Sequence, residues 1–98
     1  MFGNLEEQQK KMAAKLAEIK LSVEAGDGAI KIDCHAGGLI ENITISPELI
    51  ADGDQEQIED LMITAVNRAF ALIKDTESRE ANSLLKDMLP PGMEGLLG

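Results

Sequence analysis

The feature that most constrains the fold is the long segment between Asp54 and Met88, which contains neither proline nor glycine. Apolar residues recur in it at spacings of three and four, and this pattern predicts one amphipathic helix. The apolar positions are Ile58, Leu61, Met62, Ala65, Val66, Ala69, Phe70 and Ile73, followed by the thinner series Ala81, Leu84, Leu85 and Met88. At about 1.5 Å per residue, a helix of about 34 residues is about 50 Å long.

A helix of that length does not fit on the surface of its own domain. The chain has 98 residues, and a compact domain of that size is only about 30 Å across. The helix must therefore either break near residues 75–80 or lean on a partner chain. We favour a partner, alone or together with a break, because a chain this short buries only a modest share of its surface by itself.

The residues that precede the long helix predict how it begins. Asp52-Gly53-Asp54 forms a corner, with Asp54 as the N-cap and Gln57 in the capping-box position three residues later. Further upstream, Ser46-Pro47-Glu48 combines a capping side chain with a proline, which predicts a short helical turn through Ile50.

The N-terminal segment predicts another helix, from Asn4 to about Lys20. Asn4 is the expected N-cap, and Glu6 and Glu7 then lie in the first turn, where the helix dipole favours carboxylates. A narrow apolar stripe suits packing against another helix on one side. The stripe consists of Leu5, Met12, Leu16 and Ile19.

Between the two helices the apolar period becomes alternating, which is typical of strands with one buried face. Segments 26–28 and 36–38 contain paired glycines that suit hairpin turns. We predict three antiparallel strands at about 21–25, 29–35 and 40–46, within one domain over residues 1–98 that ends in a flexible tail at about 89–98. The fold class is α+β: an N-terminal helix, a three-stranded antiparallel sheet and a long C-terminal helix. The expected solvent face of the sheet carries Lys31, Asp33, Asn42 and Thr44.

The charge of the chain opposes the binding of polyanions. There are 9 Lys and Arg residues against 18 Asp and Glu, for a net charge of −9. The average field of such a protein repels nucleic acid, so any binding must come from a local basic patch. Residues 1–21 hold four lysines against three glutamates, whereas the rest of the chain is strongly acidic. The chain also lacks the pattern of a signal peptide or membrane span, and we expect a cytoplasmic protein.

No motif in the chain points to enzyme chemistry. Cys34 and His35 are neighbours on a strand and point to opposite faces, so we expect Cys34 in the core and His35 at the surface. Segment 52–56 starts like a calcium loop, but Gln57 and Ile63 occupy the positions of the required glycine and glutamate. The glycines form no phosphate-binding motif, and no serine has a supporting base motif. We therefore predict no catalysis, no cofactor and no metal site.

The lysines of the first helix form the one basic cluster, and two interpretations of it remain open. Positioned cationic side chains are what phosphate contacts require, so the cluster is a candidate DNA surface. Alternatively, Glu6 with Lys10 and Glu7 with Lys11 are i,i+4 pairs that stabilise an exposed helix.

Several segments carry a resemblance that covers nearly the whole chain. They are the Met1-Phe2-Gly3 opening, Ile30-Lys31-Ile32, Ile43-Thr44-Ile45 running into Ser46-Pro47-Glu48-Leu49-Ile50, Glu59-Asp60-Leu61-Met62, Ala65-Val66-Asn67-Arg68-Ala69 and Leu89-Pro90-Pro91-Gly92-Met93. In this order and spacing the chain resembles the YbaB/EbfC family of nucleoid-associated proteins. The resemblance implies an intertwined, tweezer-like homodimer with helical arms that binds double-stranded DNA in the bacterial nucleoid, with little sequence preference and possible effects on gene expression.

The resemblance also implies where contacts lie. The family's helical arms carry its DNA contacts, and the matching basic positions here are Lys10, Lys11, Lys15 and Lys20, with Arg79 and Lys86 on the last helix. The candidate dimer interface is the apolar face formed by Leu61, Met62, Ala65, Ala69, Phe70 and Ile73. An alternative function is an acidic protein–protein interaction module with little or no DNA affinity. That alternative rests on the excess of carboxylates and on Met62, Met88 and Met93, because methionine-bearing surfaces adapt to partners.

Overall fold

The computed structural model describes residues 2–92 and Gly95, with the side chains of Phe2 and Gly3 excepted. Helix α1 leads into a three-stranded sheet, a short helix α2 and a long helix α3, which confirms the predicted α+β order. The bounds are α1 Phe2–Glu18, β1 Lys20–Ala25, β2 Ile30–His35, β3 Leu39–Ile45, α2 Pro47–Asp52 and α3 Gln55–Met88. Each strand lies within one residue of the range that the alternating pattern predicted.

The sheet is a meander of antiparallel strands in the order β1-β2-β3. Ile32 of β2 stands opposite Val23 of β1 and Ile43 of β3, so apolar side chains share one face across all three strands. The turn between β1 and β2 contains Asp27 in the left-handed region at φ 56°, a conformation that short polar side chains tolerate. This alternation gives the sheet one apolar face on which a helix can pack.

The core forms where α3 lies across β1 and β2. Ile30, Ile32 and Cys34 project from β2 and have almost no solvent exposure. They pack with Ala65 and Ala69 of α3, which are fully buried. Because alanine side chains are small, the helix backbone approaches the sheet closely, and the larger strand residues fill the space between them.

Helix α3 runs without a break for 34 residues, so the alternative of a break near residues 75–80 was wrong. Its C-terminal part extends past the sheet, and the molecule measures 58 × 29 × 16 Å with a radius of gyration of 18.2 Å. A compact domain of this length has a radius of gyration of about 13 Å. Helix α1 lies beside the extension, which gives the far end of α3 a neighbour within its own chain.

The expected ends of α1 were wrong at both termini. The helix begins at Phe2, so Asn4 lies inside it rather than at the N-cap, and the first turn contains no acidic residue. It ends at Glu18, and Lys20 is the first residue of β1. The sheet decides this end, because the amide of Ala36 donates to the carbonyl of Ile19 at 3.0 Å and fixes the chain in an extended path.

The caps predicted for the two later helices were correct. Ser46 caps α2 by accepting a hydrogen bond from the amide of Leu49 at 3.2 Å. Asp54 caps α3 by accepting from the amide of Gln57 at 3.0 Å. Between them Gly53 adopts φ 70°, a left-handed conformation that lets the chain reverse from one helix into the next. Helix α3 ends at Met88, and the part of the predicted tail formed by 93, 94 and 96–98 lies outside the described residues.

We predict that Asp54→Ala lowers the free energy of unfolding by about 1 kcal/mol, because the amide of Gln57 loses its acceptor. Urea denaturation followed by circular dichroism measures this change. Asp54→Ser is the matched control, since serine also caps well but carries no charge. An equal loss in both variants would mean that the carboxylate's charge, rather than its hydrogen bond, stabilises the helix.

Candidate nucleic-acid interface

The projecting part of the molecule consists of α1 and residues 77–88 of α3, and we call it the arm. The two helices run side by side and leave two open pockets along their contact, which together we call the groove. Apolar and amide side chains line this groove together with two lysines: Leu5, Gln8, Gln9, Lys11, Met12, Lys15, Ala81, Leu84, Leu85 and Met88. Leu5, Leu85 and Met88 remain more than half exposed, so the helices touch along a seam and do not enclose a core.

Three of the six candidate DNA-binding residues present free cationic groups on the arm. Lys10 and Lys11 are exposed on α1, and Lys86 is exposed in the last turn of α3. Within the described part of the chain, no carboxylate forms an ion pair with any of these three residues. Their ammonium groups are therefore available to an anion from solution.

The other three candidates already have carboxylate partners. Lys15 Nζ lies 3.0 Å from Glu80 Oε2, which joins α1 to α3. Arg79 Nε lies 3.1 Å from Asp75 Oδ2, one turn earlier in the same helix. A phosphate that approaches either cation therefore competes with a carboxylate already in contact with it.

Lys20 does not lie on the arm, where the sequence placed it. It starts β1, and its Nζ lies 3.0 Å from both carboxylate oxygens of Glu41 on β3. Lys20 and Glu41 lie on the solvent face of the sheet, so this pair contributes little to stability. A phosphate bound at Lys20 would therefore lie against the sheet and not along the arm.

The contacts of Glu80 and Arg68 could not be predicted from the sequence. Glu80 is the partner of Lys15, and 65 positions separate them, so no local pattern signals the contact. Arg68 donates from Nη1 to the backbone carbonyl of Glu24 at 2.7 Å, which joins α3 to β1. Its guanidinium is thereby held at the sheet, away from the arm.

The six candidate interface residues divide into two groups. Ala65, Ala69 and Ile73 are buried in the core of their own chain, and Leu61 and Met62 are partly buried against it. Their burial is accounted for within one chain, without a partner. Phe70 is different, because 52% of it remains exposed.

Phe70 belongs to an apolar surface that the chain leaves uncovered. Around the helix, and in the same sense of rotation, Phe70 lies about 200° and Ile63 about 220° from Arg68, so both are on the flank away from β1. That flank is the β3 side, because Arg68 is bonded to β1 and the strand order is β1-β2-β3. Ile63 is 60% exposed, and Ile43 on the inner face of β3 is 41% exposed. We call Ile43, Ile63 and Phe70 the β3 flank.

The environment of the lone cysteine agrees with the expectation of a core residue. Cys34 is 1% exposed, and burial raises the pKa of its thiol, with further contributions from the carboxylates of Asp33 and Glu41. His35, expected at the surface, is half-buried, and its Nδ1 accepts a hydrogen bond from the amide of Gly37 at 3.0 Å.

The described residues contain neither a cluster of metal-ligating side chains nor a helix suited to a membrane. No group of three or more His, Cys, Asp or Glu side chains in this part of the chain is placed to hold a metal ion. Across residues 2–92, no helix combines the length and the apolar character needed to cross a membrane.

The chain belongs to the YbaB/EbfC DNA-binding family, whose model matches residues 1–88. The resemblance seen in the sequence is thereby confirmed. Membership places the chain among DNA-binding, nucleoid-associated proteins rather than enzymes.

Similar proteins from bacteria support this membership. A nucleoid-associated protein of Neisseria gonorrhoeae is 36% identical, over 91% of this chain and 81% of that protein. A nucleoid-associated protein of Acinetobacter baumannii is 33% identical, over 98% of this chain and 88% of its own length. The crystal structure of an uncharacterized protein from Helicobacter pylori has the same fold, with a TM-score of 0.75 at 14% identity, covering 86% of this chain and 88% of that one.

We predict that iodoacetamide modifies Cys34 more than about tenfold more slowly in the native protein than in urea, because the thiol is buried and held protonated. Since the pKa of Cys34 is raised on folding, ionisation of the thiol at alkaline pH destabilises the fold. Mass spectrometry of timed aliquots measures the rate, with an unstructured cysteine peptide as the control. Equal native and denatured rates would contradict the buried position.

Proposed function

We propose that this protein binds double-stranded DNA with little sequence preference, as a homodimer, through the cationic side chains of its arms. Membership of a DNA-binding family supports this proposal. The observation that carries it is the presence of Lys10, Lys11 and Lys86 on one projecting arm, exposed and without carboxylate partners among the described residues.

The net charge of −9 decides how such binding works. A long-range field of this sign repels DNA, so attraction must arise within about 10 Å, the screening length at 0.1 M salt. An arm that projects from the acidic body satisfies this condition, because its tip reaches a phosphate before the body does. The binding energy then comes from the release of counterions at a few contacts.

The chemistry of the arm favours duplex DNA and weak sequence preference. Lysine ammonium groups contact phosphates as point charges, and phosphate contacts carry no sequence information directly. Single-strand binding requires aromatic platforms for the bases. The chain has only two aromatic residues, and one of them, Phe70, belongs to the β3 flank near the middle of α3.

The β3 flank supports the homodimer. Helix α3 covers the inner, apolar face of β1 and β2 but leaves the inner face of β3 only partly covered. In a two-fold dimer, α3 of each copy packs against this uncovered face of β3 of the other, so that Phe70 and Ile63 become buried. Such a dimer carries two arms, which matches the tweezer-like form implied by the family resemblance. The proposed location of the protein is the nucleoid in the cytoplasm.

A protein partner is the second candidate function. The open groove of the arm favours it, because Leu5, Leu85 and Met88 present adaptable apolar surface there. Met93, which also suggested this function, lies outside the described residues. Retention of a protein partner by a dimer with no DNA affinity would support this candidate over the first.

We predict that Lys10→Gln with Lys11→Gln weakens DNA binding at least about tenfold at about 50 mM salt, because two phosphate contacts are lost. The slope of log affinity against log salt should also become shallower by about 0.9 per contact. Fluorescence anisotropy of a labelled duplex at about 50 and 200 mM salt measures both quantities.

Lys31→Gln is the matched control for each of the two single substitutions, Lys10→Gln and Lys11→Gln, that make up this double variant. Lys31 is exposed on β2, outside the arm, and the substitution removes a cation in the same way. We expect it to change the affinity only slightly. Equal weakening by all these substitutions would show that net charge, and not the arm, governs binding.

We predict that Phe70→Asp raises the dimer dissociation constant at least about thirtyfold, because a charge replaces a buried aromatic anchor in the interface. Analytical ultracentrifugation over a range of concentrations measures the change. Ala71→Asp, an exposed position next to Phe70, is the control and should leave the dimer intact. Unchanged association of both variants would place the interface elsewhere.

A further inference from the structure

We propose that Glu80 is an internal competitor of DNA: its carboxylate occupies Lys15 in the free protein and thereby limits the affinity of the arm. This inference rests on the proposed DNA-binding function and deepens it by naming the residue that tunes the affinity. The contact that carries it is the 3.0 Å ion pair between Lys15 Nζ and Glu80 Oε2.

The two side chains of this ion pair differ in exposure, so Lys15 can exchange Glu80 for a phosphate of DNA. The side chain of Lys15 is 59% exposed, whereas that of Glu80 is only 27% exposed. Lys15 can therefore turn outward to a phosphate, while Glu80 stays near the seam between the helices. When Lys15 leaves, the carboxylate of Glu80 loses its cation. Because the pair is largely exposed, this subtracts only a small amount from the free energy of DNA binding.

The contact also joins the two helices of the arm. Among the described residues, it is the one hydrogen-bonded or ionic link between side chains of α1 and α3. The remaining contacts there are the apolar seam, where Leu5 and Leu85 stay more than half exposed. Exchange of Glu80 for a phosphate therefore removes this one polar link and leaves the apolar seam to hold α1 against α3.

Lys10 and Lys11 have no such competitor, so the arm contains two kinds of cation. The unpaired lysines bind phosphate without displacing a carboxylate. Lys15 binds phosphate in competition with its own ion pair. A substitution that removes the charge of Glu80 should accordingly leave Lys15 unpaired, like Lys10 and Lys11.

The test uses Glu80→Gln, which keeps the size of the side chain and removes its charge. The control is Glu77→Gln, which makes the same charge change at an exposed position of α3 that forms no ion pair. Binding of a labelled duplex to each full-length protein is measured by anisotropy at about 50 and 200 mM salt, where each phosphate contact changes the affinity ratio by about threefold.

We expect Glu80→Gln to bind at least about threefold more tightly than Glu77→Gln and to show a salt slope steeper by about 0.9 for each arm engaged. Equal affinities and slopes for the two variants would overturn the inference, since only the net charge would then matter. If neither the wild-type chain nor either variant binds DNA at the lower salt, the proposed DNA-binding function itself is wrong. The inference about Glu80 then falls with it.

A double-mutant cycle guards against a change in folding. Lys15→Gln should weaken DNA binding little in the wild-type background, because Lys15 is already occupied, but should abolish the gain in the Glu80→Gln background. Additive effects of the two substitutions would overturn the proposal. Circular dichroism and the urea midpoint of each variant identify any loss of structure.

Discussion

The packing of α3 on the first two strands is the interaction on which the rest of this structure depends. Ala65 and Ala69 let the helix backbone approach the sheet. The side chains of Ile30 and Ile32 of β2 fill the space between helix and sheet and are fully buried. This contact uses only the middle of the helix, because the sheet is narrower than the helix is long. The uncovered ends and flanks of α3 are the surfaces to which we assign the proposed function.

Two surfaces follow from this placement. Along the helix axis, the C-terminal part of α3 passes the edge of the sheet and forms the arm with α1. Across the axis, α3 leaves the inner face of β3 half-covered, with Ile43 and Phe70 exposed. The first surface carries cations and the second carries apolar side chains, so a dimer formed through the second leaves both arms free for an anionic partner.

Electrostatics in this protein is decided locally. With a net charge of −9, the proposed binding of a polyanion depends on lysines that form no ion pair of their own. Lys10 and Lys11 meet this condition, and Lys15 and Lys20 do not, because Glu80 and Glu41 hold them at 3.0 Å. Counting basic residues along the sequence therefore overstates the surface available to DNA.

The sequence by itself determined the local structure. The alternation of apolar and polar residues defined the strands, and the N-cap Asp54 together with the apolar spacing of three and four residues defined α3. These signals act between residues that are near neighbours in the chain. The end of the first helix was predicted at about Lys20, but the hydrogen bond from the amide of Ala36 to the carbonyl of Ile19 draws the chain into the sheet, and the helix ends at Glu18. Only the tertiary structure decided which lysines are paired and that Ala65 and Ile73 face their own sheet whereas Phe70 does not. The physical reason is distance along the chain, because ion pairs and packing join residues tens of positions apart, for which a linear pattern carries no signal.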